Sequence, residues 1–212
     1  MKKDLNIYSK MTPKLIAQGA EAKIILSKDI VTKDRISKSY RIPELDKKIR
    51  KSRTKAETKL LTKAAKIINS PIPETSKEIH KIKMPFIDGK KLSDHLDKFP
   101  LKQQKQICKQ IGEDVAKLHD AEIIHGDLTT SNMVLKDNKI FFIDFGLGYI
   151  SHKFEDKAVD IHLFKQALEA KHFRNWEVLF KEFEKGYSKS KDSKIVFERL
   201  KAVEKRGRYK DQ

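Results

Sequence analysis

Eight consecutive residues, His125-Gly126-Asp127-Leu128-Thr129-Thr130-Ser131-Asn132, carry the spacing in this chain best suited to chemistry, and Asp144-Phe145-Gly146 follows shortly after. Asp127 and Asn132 stand five positions apart at the end of a helical stretch, and Asp144 closes an apolar run that reads as a hairpin strand. Two connecting loops therefore bring two carboxylates and one amide toward a small common volume. Hard oxygen donors of this kind suit magnesium, which keeps most of its waters and takes few protein ligands. The chemistry implied is a metal–phosphate site with a carboxylate beside it to accept a hydroxyl proton.

The order of these residues follows the protein-kinase pattern. There the loop Asp accepts the proton of the acceptor hydroxyl, the Asn takes a magnesium ion, and the Asp of Asp-Phe-Gly holds the magnesium that bridges the nucleotide phosphates. Asp127, Asn132 and Asp144 fall in those places, so Asn132 and Asp144 are the expected metal ligands and ATP with Mg2+ the expected cofactors. The same pattern asks for a lysine on the third strand, over the α and β phosphates, and a glutamate on the next helix to orient it. Ile30-Val31-Thr32-Lys33 offers the lysine; Glu57 is the only acid among nine Lys or Arg between Lys47 and Lys66. Gly19, in Gln18-Gly19-Ala20-Glu21-Ala22, lets the first turn approach phosphate where a fuller glycine-rich loop would stand. Adenine would meet the linker through the Pro85 carbonyl and the Ile87 amide, with Met84 ending the strand before them.

Two departures shape the expected substrate. Gly126 precedes the catalytic Asp where most protein kinases have an arginine that greets a phosphorylated loop, and Thr129 occupies the place of a common catalytic lysine. Beyond Gly146, Glu155-Asp156-Lys157-Ala158-Val159-Asp160-Ile161 already reads as helix, which leaves no room for an activation segment. The machinery for ATP is expected to be complete and the platform for peptides stripped.

The elements that must hold these groups can be traced from periodicity. Glu21–Leu26 and Asp29–Asp34 have the length and β-branched content of strands, with turns at Gln18-Gly19-Ala20 and Ser27-Lys28-Asp29. Leu45, Ile49, Ala56, Leu60, Ala64 and Ile67 or Ile68 predict one apolar stripe on a helix ended by Pro71 and Pro73. Glu78–Met84 reads as one more strand and Pro85–Gly89 as a linker. A short helix follows from Ser93 and Asp94, then a longer one striped by Ile107, Ile111, Val115 and Leu118. Met133–Lys136 and Ile140–Asp144 flank the turn dipeptide Asp137-Asn138 as a hairpin. From Glu155 onward helices are expected, with Ala158, Ile161, Leu163, Phe164 and Leu168, then Trp176, Leu179, Phe180 and Phe183, on their buried sides. His125 is expected to anchor the loop rather than act as a base. Asp160 either holds the loop backbone from below or sits simply as an acid near a helix start. Cys108 belongs to packing.

Composition bounds the remainder. The 212 residues include 47 Lys or Arg against 30 Asp or Glu, a formal charge of +17. That length suits one ordinary domain or two small lobes around a cleft. Eleven Phe and five Tyr argue against disorder, although 36% of residues are charged. A single cysteine excludes an intramolecular disulfide framework and fits a reducing compartment. With no long apolar run and no apolar stretch after Met1-Lys2-Lys3-Asp4, a cytoplasmic protein with no membrane contact is expected. The basic balance attracts polyanions without saying which.

Taken jointly, Gln18–Ala22, Lys33, Ser39–Asp46, Arg53-Thr54 with Glu57, His125–Asn132, Asp144–Gly148, Glu155–Asp160 and Arg206-Gly207-Arg208 make this sequence resemble the small atypical Ser/Thr kinase of the KEOPS complex, the PRPK-like family. RIO-type kinases also lack an activation loop, but carry a different string after the catalytic Asp and no Asp-Phe-Gly. The resemblance implies an α+β, small bilobal protein-kinase-like fold, with a strand-rich N-lobe and a helical C-lobe without an activation segment. The lobes are then expected at 1–84 and 85–198, with a basic tail at 199–212. It further implies Mg-ATP hydrolysis, Ser/Thr autophosphorylation, and support of threonylcarbamoyl-adenosine formation on tRNA. The implied partners are a TsaD-like threonylcarbamoyltransferase subunit on the C-lobe, a small Cgi-type subunit on the N-lobe, and tRNA along the basic helix and tail. The rival reading is a pseudokinase-like tRNA-binding scaffold in which nucleotide only stabilises the fold.

Overall fold

The structure, a computed structural model, describes residues 12–76 and 78–208. Residues 1–11, Lys77 and 209–212 lie outside them, and with them the expectation for Met1–Asp4, the start of the expected N-lobe and the end of the expected tail. The chain divides into two compact units, one built from residues up to Lys55 together with Pro73–Phe86, the other from Ala56–Ile72 together with Ile87 onward.

In the first unit, β1 (Lys14–Gln18), β2 (Ala22–Ser27), β3 (Ile30–Arg35) and β4 (Lys81–Pro85) form an antiparallel sheet in the order β1-β2-β3-β4. Side chains alternate across a strand, and the buried row of β3 is Val31, Lys33 and Arg35. Two cations thus occupy positions that an ordinary sheet would give to aliphatic residues. The connection from β3 to helix α1 (Pro43–Ala64) is tied to Asp46, whose side chain is 1% exposed. Its carboxylate accepts hydrogen bonds from the Ser37 hydroxyl (3.0 Å), the Lys38 N–H (3.2 Å) and Arg50 Nε (2.7 Å). Burial works to raise this carboxyl's pKa, but Arg50, Lys38 and Ser37 together hold it below the usual carboxylate range.

Helix α1 corrects the expected stripe. Leu45 is 50% exposed and Ala56 is exposed, whereas the buried positions are Asp46, Thr54, Glu57, Leu60, Leu61 and Ala64. The buried line therefore passes mainly through polar residues in the first half of the helix and turns apolar only where α1 enters the second unit. The expected stripe holds at Leu60 and Ala64 and fails at Leu45 and Ala56, where the next residue along, Asp46 or Glu57, is the buried one.

In the second unit, β5 (Lys90–Lys91), β7 (Met133–Lys136) and β8 (Lys139–Phe142) form one small sheet, and β6 (Ile123–Ile124) pairs with β9 (Tyr149–Ile150). The β7–β8 turn takes left-handed φ at Asp137 (49°) and Asn138 (57°), which a two-residue hairpin of this hand requires. Helix α2 (Leu92–His95) runs into a single 3-10 turn, Leu96–Lys98. Then come α3 (Leu101–Asp120), α4 (Phe154–Lys171), α5 (Trp176–Tyr187) and α6 (Ser193–Arg208). Ile107, Ile111, Val115 and Leu118 are buried on α3, as are Ile161, Phe164 and Leu168 on α4. Phe180, Phe183 and Tyr187 stack along α5, with ring centroids 5.7 and 6.0 Å apart. Leu163 and Trp176, expected on the same buried sides, are only half-buried. Residues from Arg199 to Arg208 continue α6 rather than hanging free, because Val196 and Leu200 bury one turn apart and Lys165 of α4 bonds Glu204 at 2.6 Å. Among the described residues, no helix is long and apolar enough to cross a membrane.

Helices α3 and α5 touch backbone to backbone. A Cβ on Gly112 would lie 2.1 Å from the Phe183 carbonyl oxygen, and one on Gly186 would lie 2.0 Å from that of Lys109. Such a crossing admits only glycine at both points. Gly186→Ala is accordingly expected to cost about 1–3 kcal/mol of stability, read as a lower denaturation midpoint, whereas Gly19→Ala, where an added Cβ meets nothing within 4 Å, is expected to leave the midpoint unchanged.

Candidate active site

Strand β6 delivers the chain into the loop that carries Asp127, and α4 holds that loop. Asp160, 1% exposed on α4, accepts the His125 N–H at 2.8 Å through Oδ2 and the Gly126 N–H at 2.9 Å through Oδ1. Of the two roles open to Asp160, the structure takes the first: its carboxylate supports the loop backbone. His119 of α3 donates its Nε2–H to the same Oδ2 at 3.2 Å, and its Nδ1 accepts the Tyr187 hydroxyl at 2.9 Å. Burial works to raise the Asp160 pKa, but the His119 bond and the loop N–H outweigh it and hold the carboxyl below the usual range. Burial also pushes the Tyr187 hydroxyl up, which keeps it a neutral donor. His119 and Tyr187 give no signal in the sequence, because they lie 68 positions apart and have no motif.

His125 is fully buried, with its ring centroid 4.5 Å from that of Phe145. Its Nε2–H donates to the Ile143 carbonyl (3.2 Å), and the Asp127 N–H donates to its Nδ1 (3.3 Å). The ring therefore joins the loop to the strand end that carries Asp144. Burial lowers its pKa against the opposing pull of Asp160 and the Ile143 carbonyl, so the ring is neutral. Gly126 has φ of +78°, and a Cβ there would fall 2.3 Å from the Leu147 carbonyl oxygen. The absent arginine thus coincides with a backbone position that only glycine fills.

Leu128 and Thr130 are buried, and a 3-10 turn, Thr130–Asn132, brings Asn132 back over Asp127. The Asn132 amide donates Nδ2–H to Asp127 Oδ2 at 2.8 Å and to the Asp127 carbonyl at 3.0 Å. Both acceptors are oxygens, so the amide nitrogen is fixed toward Asp127 and Oδ1 is turned away from it. The Ile143 N–H donates to the Asn132 carbonyl at 2.9 Å, which places Asp144 one residue from this pair. Asp144 is itself left-handed (φ 62°), and its Oδ1 accepts the Gly146 N–H at 3.1 Å. The second unit so brings Asp127, Asn132 and Asp144 together as three half-buried oxygen-bearing side chains. Among the described residues, no group of three or more His, Cys, Asp or Glu gathers as a metal site. One carboxylate and one amide oxygen with water completing the shell is a donor set that fits magnesium.

Glu57, on α1, is 1% exposed and also belongs to this unit, as does half-buried Ile87. Gly19, Lys33, Met84 and Pro85 belong to the first unit. Lys33 is 6% exposed and pairs in register with Ile24 and Ile82. On the β4 edge, Phe86 N–H donates to the Asp29 carbonyl at 2.7 Å and the Glu74 N–H donates to the Lys83 carbonyl at 2.8 Å. Alternation along an antiparallel strand then turns the Pro85 carbonyl away from β3, at a position where a missing N–H breaks no ladder bond.

Residues 25–160 match the model of the RIO domain. The chain is 40% identical over 214 residues to the KEOPS complex subunit Bud32 of Pyrococcus abyssi, covering 94% of this chain and 97% of that one. It is also 40% identical to a probable serine/threonine-protein kinase BUD32 homolog of Archaeoglobus fulgidus, covering 90% and 94%. A probable bifunctional tRNA threonylcarbamoyladenosine biosynthesis protein of Methanobrevibacter smithii is 42% identical over 95% of this chain, which spans 38% of that protein's length. Among solved structures, the Rio2 kinase-ADP/Mg2+-phosphoaspartate complex of Chaetomium thermophilum aligns with a TM-score of 0.55 at 15% identity, covering 92% of this chain and 70% of that one. This last likeness concerns the fold alone. The chain thus carries the RIO domain, from whose kinases its motifs were expected to set it apart.

The neutral, buried His125 gives the fold a defined acid sensitivity. Its folded pKa lies below the free value of 6.5, so below about pH 6.5 the unfolded chain binds a proton that the folded ring refuses, and stability falls as pH drops. Urea denaturation between pH 7 and 5 is expected to show this loss, and His125→Asn to flatten its slope by up to about 1.4 kcal/mol per pH unit.

Proposed function

Since the chain belongs to the RIO-domain family and, within it, to the Bud32 kinases, we propose that it is the Mg-ATP-dependent kinase and ATPase of a KEOPS complex, supporting threonylcarbamoyl-adenosine modification of tRNA. The observation that carries this reading is the bond from Asn132 Nδ2 to Asp127 Oδ2, which holds in one turn the carboxylate assigned as base and the amide assigned to magnesium. Asp127 orients a hydroxyl or water and accepts its proton. Asn132 Oδ1 and the Asp144 carboxylate would hold magnesium, which when bound neutralises charge on the phosphates. Lys33 is assigned to the α and β phosphates, Glu57 to orienting it, and Gly19 to backbone room beside them. The Pro85 carbonyl and Ile87 amide, after Met84, are assigned to adenine. The acceptor is a serine or threonine hydroxyl in autophosphorylation and water in ATP hydrolysis.

The short stretch between Gly146 and Phe154 supports a partner-controlled enzyme rather than a kinase for free peptides, since no activation segment stands there to dock one. A TsaD-like transferase subunit is assigned to the helical C-lobe and a small Cgi-type subunit to the strand-rich N-lobe, with the cytoplasm as the compartment. The Methanobrevibacter relative, in which a matching segment shares a chain with the rest of a biosynthesis protein, is in keeping with work beside such a transferase. tRNA is assigned to the lysines of α1 and the cations of α6.

Phosphate release by the purified chain, alone and with the transferase subunit and tRNA, tests the assignment. Asp127→Ala is expected to lower the rate at least about a hundredfold while nucleotide still binds, and Asp144→Ala to weaken Mg-ATP binding itself. Undiminished hydrolysis by Asp127→Ala would refute the assignment. For tRNA, truncation at Arg199 would unpack Leu200, so Arg199→Gln with Lys205→Gln is the cleaner change. It is expected to weaken binding and to reduce the salt slope by roughly one for each phosphate no longer engaged. Salt-insensitive tRNA binding would count against a polyanion surface.

A further inference from the structure

The turn that delivers Asn132 has a second fastening, at Thr130. Thr130, its first residue, is 1% exposed, yet it ends in a hydroxyl. That Oγ1 lies 3.1 Å from Nε2 of His172, the residue that caps the C-terminal end of α4 and is also 1% exposed. The other ring nitrogen, Nδ1, lies 3.0 Å from Oδ1 of Asp97, on the 3-10 turn after α2, whose side chain is 52% exposed. A carboxylate only accepts, so Asp97 takes Nδ1–H and leaves the Nε2 lone pair for the Thr130 hydroxyl. His172 is held in its own backbone by its N–H to the Leu168 carbonyl (2.8 Å) and by the Asn175 N–H on its carbonyl (3.2 Å). Helix α4 therefore grips the loop twice, through Asp160 at His125 and Gly126 and through His172 at Thr130.

We propose that His172, oriented by Asp97, is a positioning residue for phosphoryl transfer. Its hold on Thr130 fixes the rotation of the Thr130–Asn132 turn, and that rotation decides whether Asn132 keeps Nδ2 on Asp127 and Oδ1 turned outward. An error of about 1 Å at such a turn is enough to cost up to a hundredfold in rate. Packing alone does not account for the arrangement, since valine would fill the buried volume of Thr130 without leaving a hydroxyl to satisfy.

The test is the series Thr130→Val, Thr130→Ser, Asp97→Ala and the double variant Thr130→Val with His172→Gln, each assayed for ATP hydrolysis over a Mg2+ titration and for thermal midpoint. Thr130→Val is expected to lower kcat about tenfold with KM for ATP within about twofold, and to raise the Mg2+ concentration for half-maximal rate. Thr130→Ser, which keeps the hydroxyl, should stay within about threefold of the unmodified protein. Asp97→Ala removes an exposed side chain, so it keeps the test open should a buried variant fail to fold; it should lower kcat in the same direction. The double variant should be no slower than Thr130→Val, because both changes break one linkage. Unchanged kcat and Mg2+ dependence in Thr130→Val, equal impairment in the serine and valine variants, or a shift confined to the thermal midpoint would each overturn the proposal. It rests on the phosphoryl-transfer reading. Should the unmodified protein hydrolyse no ATP in any assembly, that reading is what fails; an active protein indifferent to Thr130→Val sinks the His172 proposal alone.

Discussion

A carboxylate sealed from water has to be matched donor for donor, and the loop that carries Asp127 is the means by which Asp160 is matched. An unpaired buried charge costs several kcal/mol, so the fold that contains this one must supply hydrogen bonds in fixed directions. Three of the donors are the His119 ring and the backbone N–H groups of His125 and Gly126. Satisfying the anion and shaping the loop are consequently the same event. The residues next along the chain inherit the geometry: the glycine that alone tolerates φ of +78° beside the Leu147 carbonyl, then Asp127, then the turn that lays Asn132 back on it.

Buried polarity is not confined to that point. The inward row of β3 includes Lys33 and Arg35, and the inward line of α1 includes Asp46, Thr54 and Glu57. A protein optimised only for stability would put aliphatic side chains there, since a buried ion pair rarely outperforms hydrophobic packing of the same volume. Apolar packing is concentrated elsewhere, in the α3–α5 crossing and the aromatic column of Phe180, Phe183 and Tyr187. The molecule thus keeps a densely apolar region apart from one whose inward positions include polar groups.

This division explains how much can be read from the sequence. The hairpin around Asp137-Asn138, the α3 stripe and the loop string are local patterns, and local patterns are what periodicity and turn chemistry encode. Apolar periodicity finds the second half of helix α1 at Leu60 and Ala64 but misplaces the first, where the buried line is written in Asp, Thr and Glu and a search for apolar residues follows Leu45 and Ala56 to the solvent. The end of α6 is hidden in a similar way: its cations read as a tail, although Val196 and Leu200 keep it packed. The supports of the loop are legible only in part. Asp160 lies near a recognisable string, while His119, Tyr187, His172 and Asp97 are joined to their partners across 41 to 75 positions and leave no trace in spacing. Long-range hydrogen bonds of this sort are consequences of topology, which one sequence does not announce.

The link from Gly146 to Phe154 is pinned midway by the pairing of Tyr149 with Ile124 and of Ile150 with Ile123. In most members of the wider enzyme class the corresponding stretch is the place where a covalent mark throws the enzyme on or off. Here it is a short connection paired into a two-stranded ribbon. A connection this short, and paired along its middle, leaves no length between Gly146 and helix α4 for a docking segment.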